Sequence, residues 1–419
     1  MKGFLTLFVV YGSMIFWAFN NLIGIYYDGK ESSNSYILYW LTVLILTLSV
    51  YIFSKFKNKL TITLMEFSLL FLALIILAGY IITFYLRGSS DPVMSTIYSF
   101  GTISISSLLI GFSISRKKMN IESFAYFSDI MMLVCSMIFL PKIFTLIISG
   151  MGINDIKAYF SSYQSLGYMI TVLYGLNLYY LIYYKSLKYS VLKNNKAILK
   201  IKWILLICQA IGILYTGARG PMIFFASITL ILLYGSNNKK FIIKIFVIAL
   251  LLLSLIVIIL PFTTFDSNTN IAMQGIYRFF SLFDKQTFIA TSGDTSASTR
   301  IILYKESIDL IYHSPIWGYG LGSSYYLLGF YPHNLLLELL IDGGVLWANL
   351  WLILIFKVFK KIFMLCKKDP VNYIILILAV KFMVMLMFSG SYVTSGELWF
   401  TLSYVLTLSV KSISKEVHV

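Results

Sequence analysis

The sequence predicts an all-α, polytopic integral membrane protein of about twelve transmembrane helices, with one long extracytoplasmic loop that itself contains helices. Three observations carry this expectation. Hydrophobic residues make up 59% of the chain and charged residues 12%, and the mean hydropathy is +0.85, far from the balance of a soluble domain. The apolar residues gather into runs close to the roughly 17 to 25 residues that a spanning helix needs. Lysine and arginine alternate between rich and poor from one connection to the next, as they do in multi-pass proteins whose basic loops stay in the cytoplasm.

In order, the apolar runs cover residues 4–27, 36–54, 60–85, 94–115, 123–148, 167–184, 203–218, 221–236, 241–261, 335–356, 371–389 and 398–410. The first is expected to span rather than to be cleaved, since Lys2 gives little basic n-region and no small-residue cleavage pattern follows. One set of connections holds Lys2, the 55–59 and 116–118 clusters, the six lysines from Lys185 to Lys202, those at 239–244, the five from Lys357 to Lys368, and Lys411 and Lys415, 23 in all. The alternate set holds 8: Lys30, Arg87, Lys157, Arg219, Arg278, Lys285, Arg300 and Lys305. Both termini are therefore expected in the cytoplasm and the long loop outside. The organisation that follows is nine transmembrane helices over 1–261, an extracytoplasmic loop over 262–334, and three more helices with a cytoplasmic tail over 335–419.

The formal net charge of +16 does not point to nucleic acid, because the basic residues are scattered among segment ends instead of forming one patch. Cys135, Cys208 and Cys366 show neither paired nor metal-ligand spacing, so neither a disulfide nor a zinc site is expected.

A loop of about seventy residues far exceeds a simple connection, which makes it the place to look for chemistry. Before it, the turn Thr216-Gly217-Ala218-Arg219-Gly220-Pro221 joins two segments of about sixteen residues each and places Arg219 near the outer surface. Arg219 reads either as an interfacial arginine that snorkels to headgroups, or as a cation beside a glycine-flanked, anion-binding turn in which Gly217 and Gly220 expose backbone N–H groups. Within the loop, Ser298-Thr299-Arg300 opens a helical pattern with Ile301, Tyr304, Ile308 and Tyr312 as its apolar stripe, Ser298 as N-cap and Pro315 as stop. Arg300 then falls in the first turn, where the helix dipole disfavours a cation. An anionic ligand explains that choice, and so does a salt bridge to Glu306 or Asp309.

Pro315-Ile316-Trp317-Gly318-Tyr319-Gly320-Leu321-Gly322 lacks the strand and helix that a dinucleotide fingerprint needs, and reads as a turn orienting the helix. His333, between Pro332 and the N-cap residue Asn334, is fixed at the mouth of the next span, where a lone histidine reads either as structural or as catalytic. His313 and His418 are weaker candidates. Glu338 and Asp342 share a helix face in the outer leaflet, where carboxyls are costly unless they serve a pocket or a cation. Gly343-Gly344 permits close packing or a kink. Glu66, Asp129 and Lys381 are buried by position, and mutual ion pairing is the simplest account of them.

Thr-Gly-Ala-Arg-Gly at 216–220, Arg300 heading a loop helix that runs to Pro315–Gly320, and Pro-His-Asn followed by Leu-Leu-Leu-Glu and Gly-Gly at 332–344 together resemble the O-antigen polymerase and O-antigen ligase superfamily of bacterial envelope glycan enzymes. Ala218 stands where that pattern often has serine, which removes a hydroxyl but not the cation. The resemblance implies a metal- and cofactor-independent, inverting glycosyltransferase in the bacterial inner membrane, acting on a glycan carried by undecaprenyl diphosphate. It implies Arg219, Arg300 and His333 as the functional set, with the arginines on the diphosphate and His333 taking the acceptor's proton or positioning the acceptor, the general-base role being preferred. Gly217, Gly220, Asn334 and Glu338 are the expected substrate contacts. No Asp-x-Asp motif appears for a metal on the outer face. Expected partners are the lipid-linked donor, a lipid-linked acceptor, membrane lipid and a chain-length regulator. A polymerase joining repeat units is preferred, with a ligase to lipid A-core and, from another class, a flippase or transporter as alternatives.

Overall fold

A computed structural model of the chain describes residues 2–24, 31–57, 61–149, 162–191, 195–236, 245 and 295–408. Among these, every regular element is a helix. Among the described residues eight helices are long and apolar enough to cross a membrane, or nine if the bent pair Lys2–Val10 and Gly12–Ile23 is one span: Asn34–Phe56, Leu64–Arg87, Asp91–Ile114, Lys118–Ile148, Tyr163–Tyr183, Lys196–Thr216, Leu335–Lys368 and Pro370–Phe388. The first apolar run is not one helix as expected but two, α1 (Lys2–Val10) and α2 (Gly12–Ile23). A Cβ on Gly12 would lie 2.7 Å from the Trp40 ring, so the break comes where the backbone passes too close to that ring for a side chain. The ninth run, apart from residue 245, and loop residues 262–294 lie outside the described residues.

The chain divides into two compact units, Met1–Gly12 with Ser35–Phe124 and Thr291–Val419, and Ser13–Asn34 with Ala125–Ala290. In the first unit, α3 (Glu31–Lys57) precedes α4 (Leu64–Arg87), which begins in a reciprocal cap. Thr63 Oγ1 accepts from the Glu66 N–H at 3.2 Å, and Glu66 Oε2 accepts from the Thr63 N–H at 3.0 Å, satisfying two first-turn donors. Glu66, 2% exposed, also binds Lys55 at 2.5 Å and Arg116 at 2.9 Å. Lys118 and Asp369 pair at 2.7 Å. The basic clusters read from the sequence thus lie at the start of α4 and, through Lys367 and Lys368, at the end of α11 (Leu335–Lys368).

Inside this unit α12 (Tyr373–Phe388) is apolar all round and buried along most of its length, as a helix enclosed by other helices must be. The last helix, α13 (Gly396–Thr407), packs along α5 (Asp91–Ile114). A Cβ on Gly111 would sit 1.9 Å from Ser403 Oγ, and one on Gly396 2.8 Å from Ser107 Oγ, so small residues let the two backbones approach. Lys381 pairs with Glu397.

In the second unit, α7 (Tyr163–Tyr183) packs against both α8 (Lys196–Thr216) and α9 (Arg219–Gly235). The α8 span has 21 residues, not about sixteen, because Asn195 caps it about two turns before Lys202. Lys202 points into the bundle, pairs with Asp129 of α6 (Lys118–Ile148), and lies 4.6 Å from the Tyr180 ring centroid. Gln209 bridges Asn177 and Ser136 at 3.1 and 2.9 Å. The expected mutual pairing of Glu66, Asp129 and Lys381 is therefore corrected, since each has its own partner from elsewhere in the chain. Stranding one member of such a pair costs about 3–5 kcal/mol, which accounts for these charges without a catalytic role.

Candidate functional site

The loop helix, α10, runs from Thr295 to His313 and packs on α11. Ser298 lies inside it rather than capping it, and Arg300 is its sixth residue, past the first turn. The helix-dipole argument for an anion at Arg300 therefore falls away. The apolar stripe also differs from expectation: Ile301, Ile308 and Tyr312 are 51%, 62% and 83% exposed, while Leu303 and Ser307 are 8% and 0% exposed. The helix carries apolar residues on both faces, so periodicity alone did not choose between them; Ser307 is small enough to allow close packing. Arg300 shares the Leu303–Ser307 face and is half-buried. Neither Glu306 nor Asp309 pairs with it, and among the described residues it has no ion pair or hydrogen bond; Asp309 lies 4.0 Å from His313 instead. Its charge acts on His333.

The turn after α10 fixes where that helix sits. Ser314 Oγ donates to the Gly318 carbonyl at 2.9 Å and the Tyr319 hydroxyl to the Leu310 carbonyl at 3.1 Å. The turn then docks into a break in α11, where Gly343 (φ −148°, ψ 21°) and Gly344 (φ 63°, ψ −162°) leave the helical path. Carbonyls released by the break are taken up at once, with the Tyr319 N–H on Ile341 O at 2.7 Å and the Gly320 N–H on Asp342 O at 3.0 Å. The Val345 N–H returns a bond to Pro315 O at 2.9 Å. A Cβ on Gly318 would meet Ile341 O at 2.6 Å, and one on Gly344 would meet Ile316 O at 2.1 Å. The two glycine motifs therefore form one joint. On its other side Gly322 lies against the Tyr80 ring, and Arg87, ending α4, donates to Tyr319 O at 3.3 Å.

Gly344→Ala combines a left-handed φ with that clash, so it should cost more than about 1 kcal/mol and lower the thermal unfolding midpoint of the detergent-purified protein. Gly329→Ala, also at positive φ (75°) but with nothing within 4 Å, should cost less. Equal midpoints for the two variants would mean that the joint does not matter for stability.

His333 is the one non-glycine residue with positive φ (55°) among those described, a conformation that costs about 1–3 kcal/mol unless its surroundings impose it. The imposition is visible. Asn334 Oδ1 caps α11 by accepting from the N–H groups of Leu336 and Leu337 at 3.0 and 3.3 Å, which commits that oxygen to the helix and not to a substrate. The imidazole lies 4.4 Å from the Tyr331 ring and 5.1 Å from the Phe330 ring, centroid to centroid. Tyr331 is tied by its hydroxyl to Ser389 O at 2.8 Å. Nδ1 of His333 is enclosed without a partner, whereas Nε2 is not enclosed. Burial first, and the Arg300 guanidinium second, push the imidazolium from 6.5 down to about 4. At neutral pH the ring is uncharged, and with the hydrogen on Nδ1 the open Nε2 presents a lone pair.

Below it, Glu338 and Asp342 are 0% and 1% exposed. Asp342 is fully engaged, accepting from the Gly322 N–H at 3.1 Å and the Tyr392 hydroxyl at 2.8 Å. Glu338 accepts from the Ser391 hydroxyl through Oε1, while Oε2 has no partner. The segment from Ser389 to Tyr392 thus runs beside the start of α11 and reaches Tyr331, Glu338 and Asp342.

Arg219 belongs to the other unit, at the first position of α9. Gly217 is left-handed (φ 58°) and closes α8, but Gly220 is helical. The expected two-glycine nest is instead the bare N-terminus of α9, where Ala218 offers no side-chain cap. Pro221 is its third residue and touches Gly167 closely, 2.7 Å from where a Cβ would be.

Arg300, His333, Glu338 and the glycine joint therefore share one unit, and Arg219, Gly217 and Gly220 another. Sequence reasoning missed Tyr325, Phe330, Tyr331, Ser391 and Tyr392. The signals were there: polar Ser389-Gly390-Ser391 between two apolar runs, and a cluster of aromatics just ahead of the histidine. Among the described residues no group of three His, Cys, Asp or Glu could hold a metal ion. No curated protein and no solved structure matches the chain. Residues 204–352, which contain Arg219, Arg300, His333 and the glycine joint, match the family model for O-antigen ligase, consistent with the O-antigen polymerase and ligase superfamily that the motifs resemble.

Proposed function

We propose that this chain is a glycan polymerase that transfers a glycan from undecaprenyl diphosphate to another lipid-linked repeat unit at the outer face of the inner membrane. One observation carries the reading: His333, held in a strained backbone with Nε2 open, lies within electrostatic reach of Arg300, a cation with no anionic partner among the described residues. In a single displacement the acceptor oxygen bonds to the anomeric carbon as the bond from that carbon to the phosphate oxygen breaks, inverting the configuration. The acceptor proton passes to Nε2, and negative charge departs on the lipid diphosphate. A guanidinium stabilises that charge through two parallel N–H donors. Arg300 supplies these donors, and Arg219 is proposed as a phosphate contact on its motif alone. A diphosphate on Arg300 also offsets the charge that holds His333 down, so donor binding raises the basicity of the group the acceptor needs.

The lysine pattern within the first unit supports this orientation. The lysine-rich connections lie at the start of α4 and the end of α11, and the His333 end of α11 and the Arg87 end of α4 lie opposite. The 24 residues of α4 extend about 36 Å, enough to separate two compartments. Asp309→Cys should accordingly react with an impermeant thiol reagent in intact cells and Tyr189→Cys should not. The reverse pattern would place His333 in the cytoplasm and end the proposal.

The family match is described as a ligase, so transfer to lipid A-core is the second reading. Cells lacking the protein separate the two: loss of a polymerase leaves single repeats on the final acceptor, and loss of a ligase leaves long chains on their lipid carrier. Single repeats trapped inside the membrane would indicate a flippase.

A further inference from the structure

We infer that the exposed face of Phe330 is a platform for the acceptor sugar, on which an apolar pyranose face lies so that a rim hydroxyl reaches His333. This rests on the reading of His333 as the base, and it names where the acceptor binds.

Phe330 is 43% exposed, yet its ring is not free to move. It stacks on Tyr331 at 4.8 Å and 28°, and meets Tyr325 at 6.4 Å and 62°. Both supports are anchored: the Tyr331 hydroxyl on Ser389 O, and the Tyr325 hydroxyl 2.9 Å from Thr96 Oγ1, with Tyr325 itself 7% exposed. Gly329, at φ 75° with open space around it, gives this ring its approach. The chain therefore holds an apolar ring rigidly in the open, 5.1 Å from the imidazole and tilted 34° to it.

What sets this exposed ring apart from other exposed apolar side chains is its fixed place beside the imidazole. The C–H-lined face of a pyranose suits an aromatic face, whose quadrupole attracts the weakly positive hydrogens. Its hydroxyls project from the rim in the plane of the ring, toward the neighbouring imidazole. The donor has a different anchor, its diphosphate on Arg300, so the ring beside the base is left for the acceptor.

The test uses the full-length protein in nanodiscs. The probe is the repeat-unit oligosaccharide released by mild acid from the lipid-linked intermediates of the producing cells. Saturation-transfer NMR should show contact at ring C–H protons of the probe. Phe330→Leu should weaken binding about tenfold, the scale of one aromatic stacking contact, and Phe330→Trp should retain it. Transfer assays on the same proteins should show acceptor KM rising in Phe330→Leu, with donor KM and the acid limb of the pH profile unchanged. Absence of probe binding by the wild type, or equal binding by Phe330→Leu, overturns the platform. A fall in kcat with a moved acid limb and unchanged acceptor KM also overturns it, because Phe330 would then only support the imidazole. If the probe binds through Phe330 but no glycan is transferred to any lipid-linked acceptor, the platform stands and the polymerase reading fails.

Discussion

His333→Asn should lower glycan transfer by about a hundredfold to ten-thousandfold while leaving folded protein and donor binding close to wild type. Asparagine is the informative replacement because the backbone at 333 is left-handed, at φ 55°, and Asn tolerates that region better than other side chains with a Cβ. Alanine would remove the imidazole and add strain together, confusing chemistry with folding. An amide can orient a hydroxyl but cannot take its proton, so the loss should appear in kcat. A wild-type rate in His333→Asn would reduce the histidine to a positioning residue, and loss of donor binding would move it to the diphosphate.

Arg300→Lys should cost about a hundredfold to a thousandfold in kcat, the scale of losing one preorganised donor to developing charge, since lysine keeps the charge but loses the planar fork. Arg300→Gln adds a second readout, in pH. Burial and the guanidinium hold the His333 imidazolium down at about 4, and only the neutral ring is a base. The free wild-type enzyme should therefore keep kcat/KM as pH falls from 7 to about 5 and lose it near 4. Without the cation protonation becomes easier and the acid limb should move up, by the smaller part of the shift because burial of the ring remains. The same depression contributes stability that is present above 6.5 and lost as pH falls toward 4, a dependence His333→Asn should lack. An unmoved limb in Arg300→Gln would show that Arg300 does not act on the base.

The spanning helices were legible because membrane-spanning segments announce themselves by composition and length, and α3 through α9 and α11 through α13 overlap the expected runs. Gly343-Gly344 was legible as a weak point of a helix, and the glycine-rich turn at 315–322 as an orienting turn. That the two close on each other was not, because their contacts are backbone to backbone and leave no side-chain pattern. The face of α10 was misread because Ser307, the residue that lets it pack, looks polar in sequence. Charged partners failed for a related reason: Lys55 with Glu66, Lys202 with Asp129 and Lys381 with Glu397 are chosen by helix packing, and a list of buried charges does not contain that packing. Tyr331 and Ser389, or Glu338 and Ser391, meet across more than fifty residues of chain. At His333 a local motif coincides with a local backbone constraint, Pro before it and a capping Asn after it, so its position at the start of α11 was legible.

The most direct measurement places the purified chain in liposomes with one synthetic undecaprenyl diphosphate-linked repeat unit as both donor and acceptor, in the presence of a chelator, and follows the lipid-linked products by mass spectrometry. The account predicts lipid-linked chains of two and more repeats, released undecaprenyl diphosphate, inverted configuration at each new linkage, and none of these with His333→Asn. Bound but unchanged repeat units with the wild-type protein, or elongation that proceeds equally with His333→Asn, would contradict it.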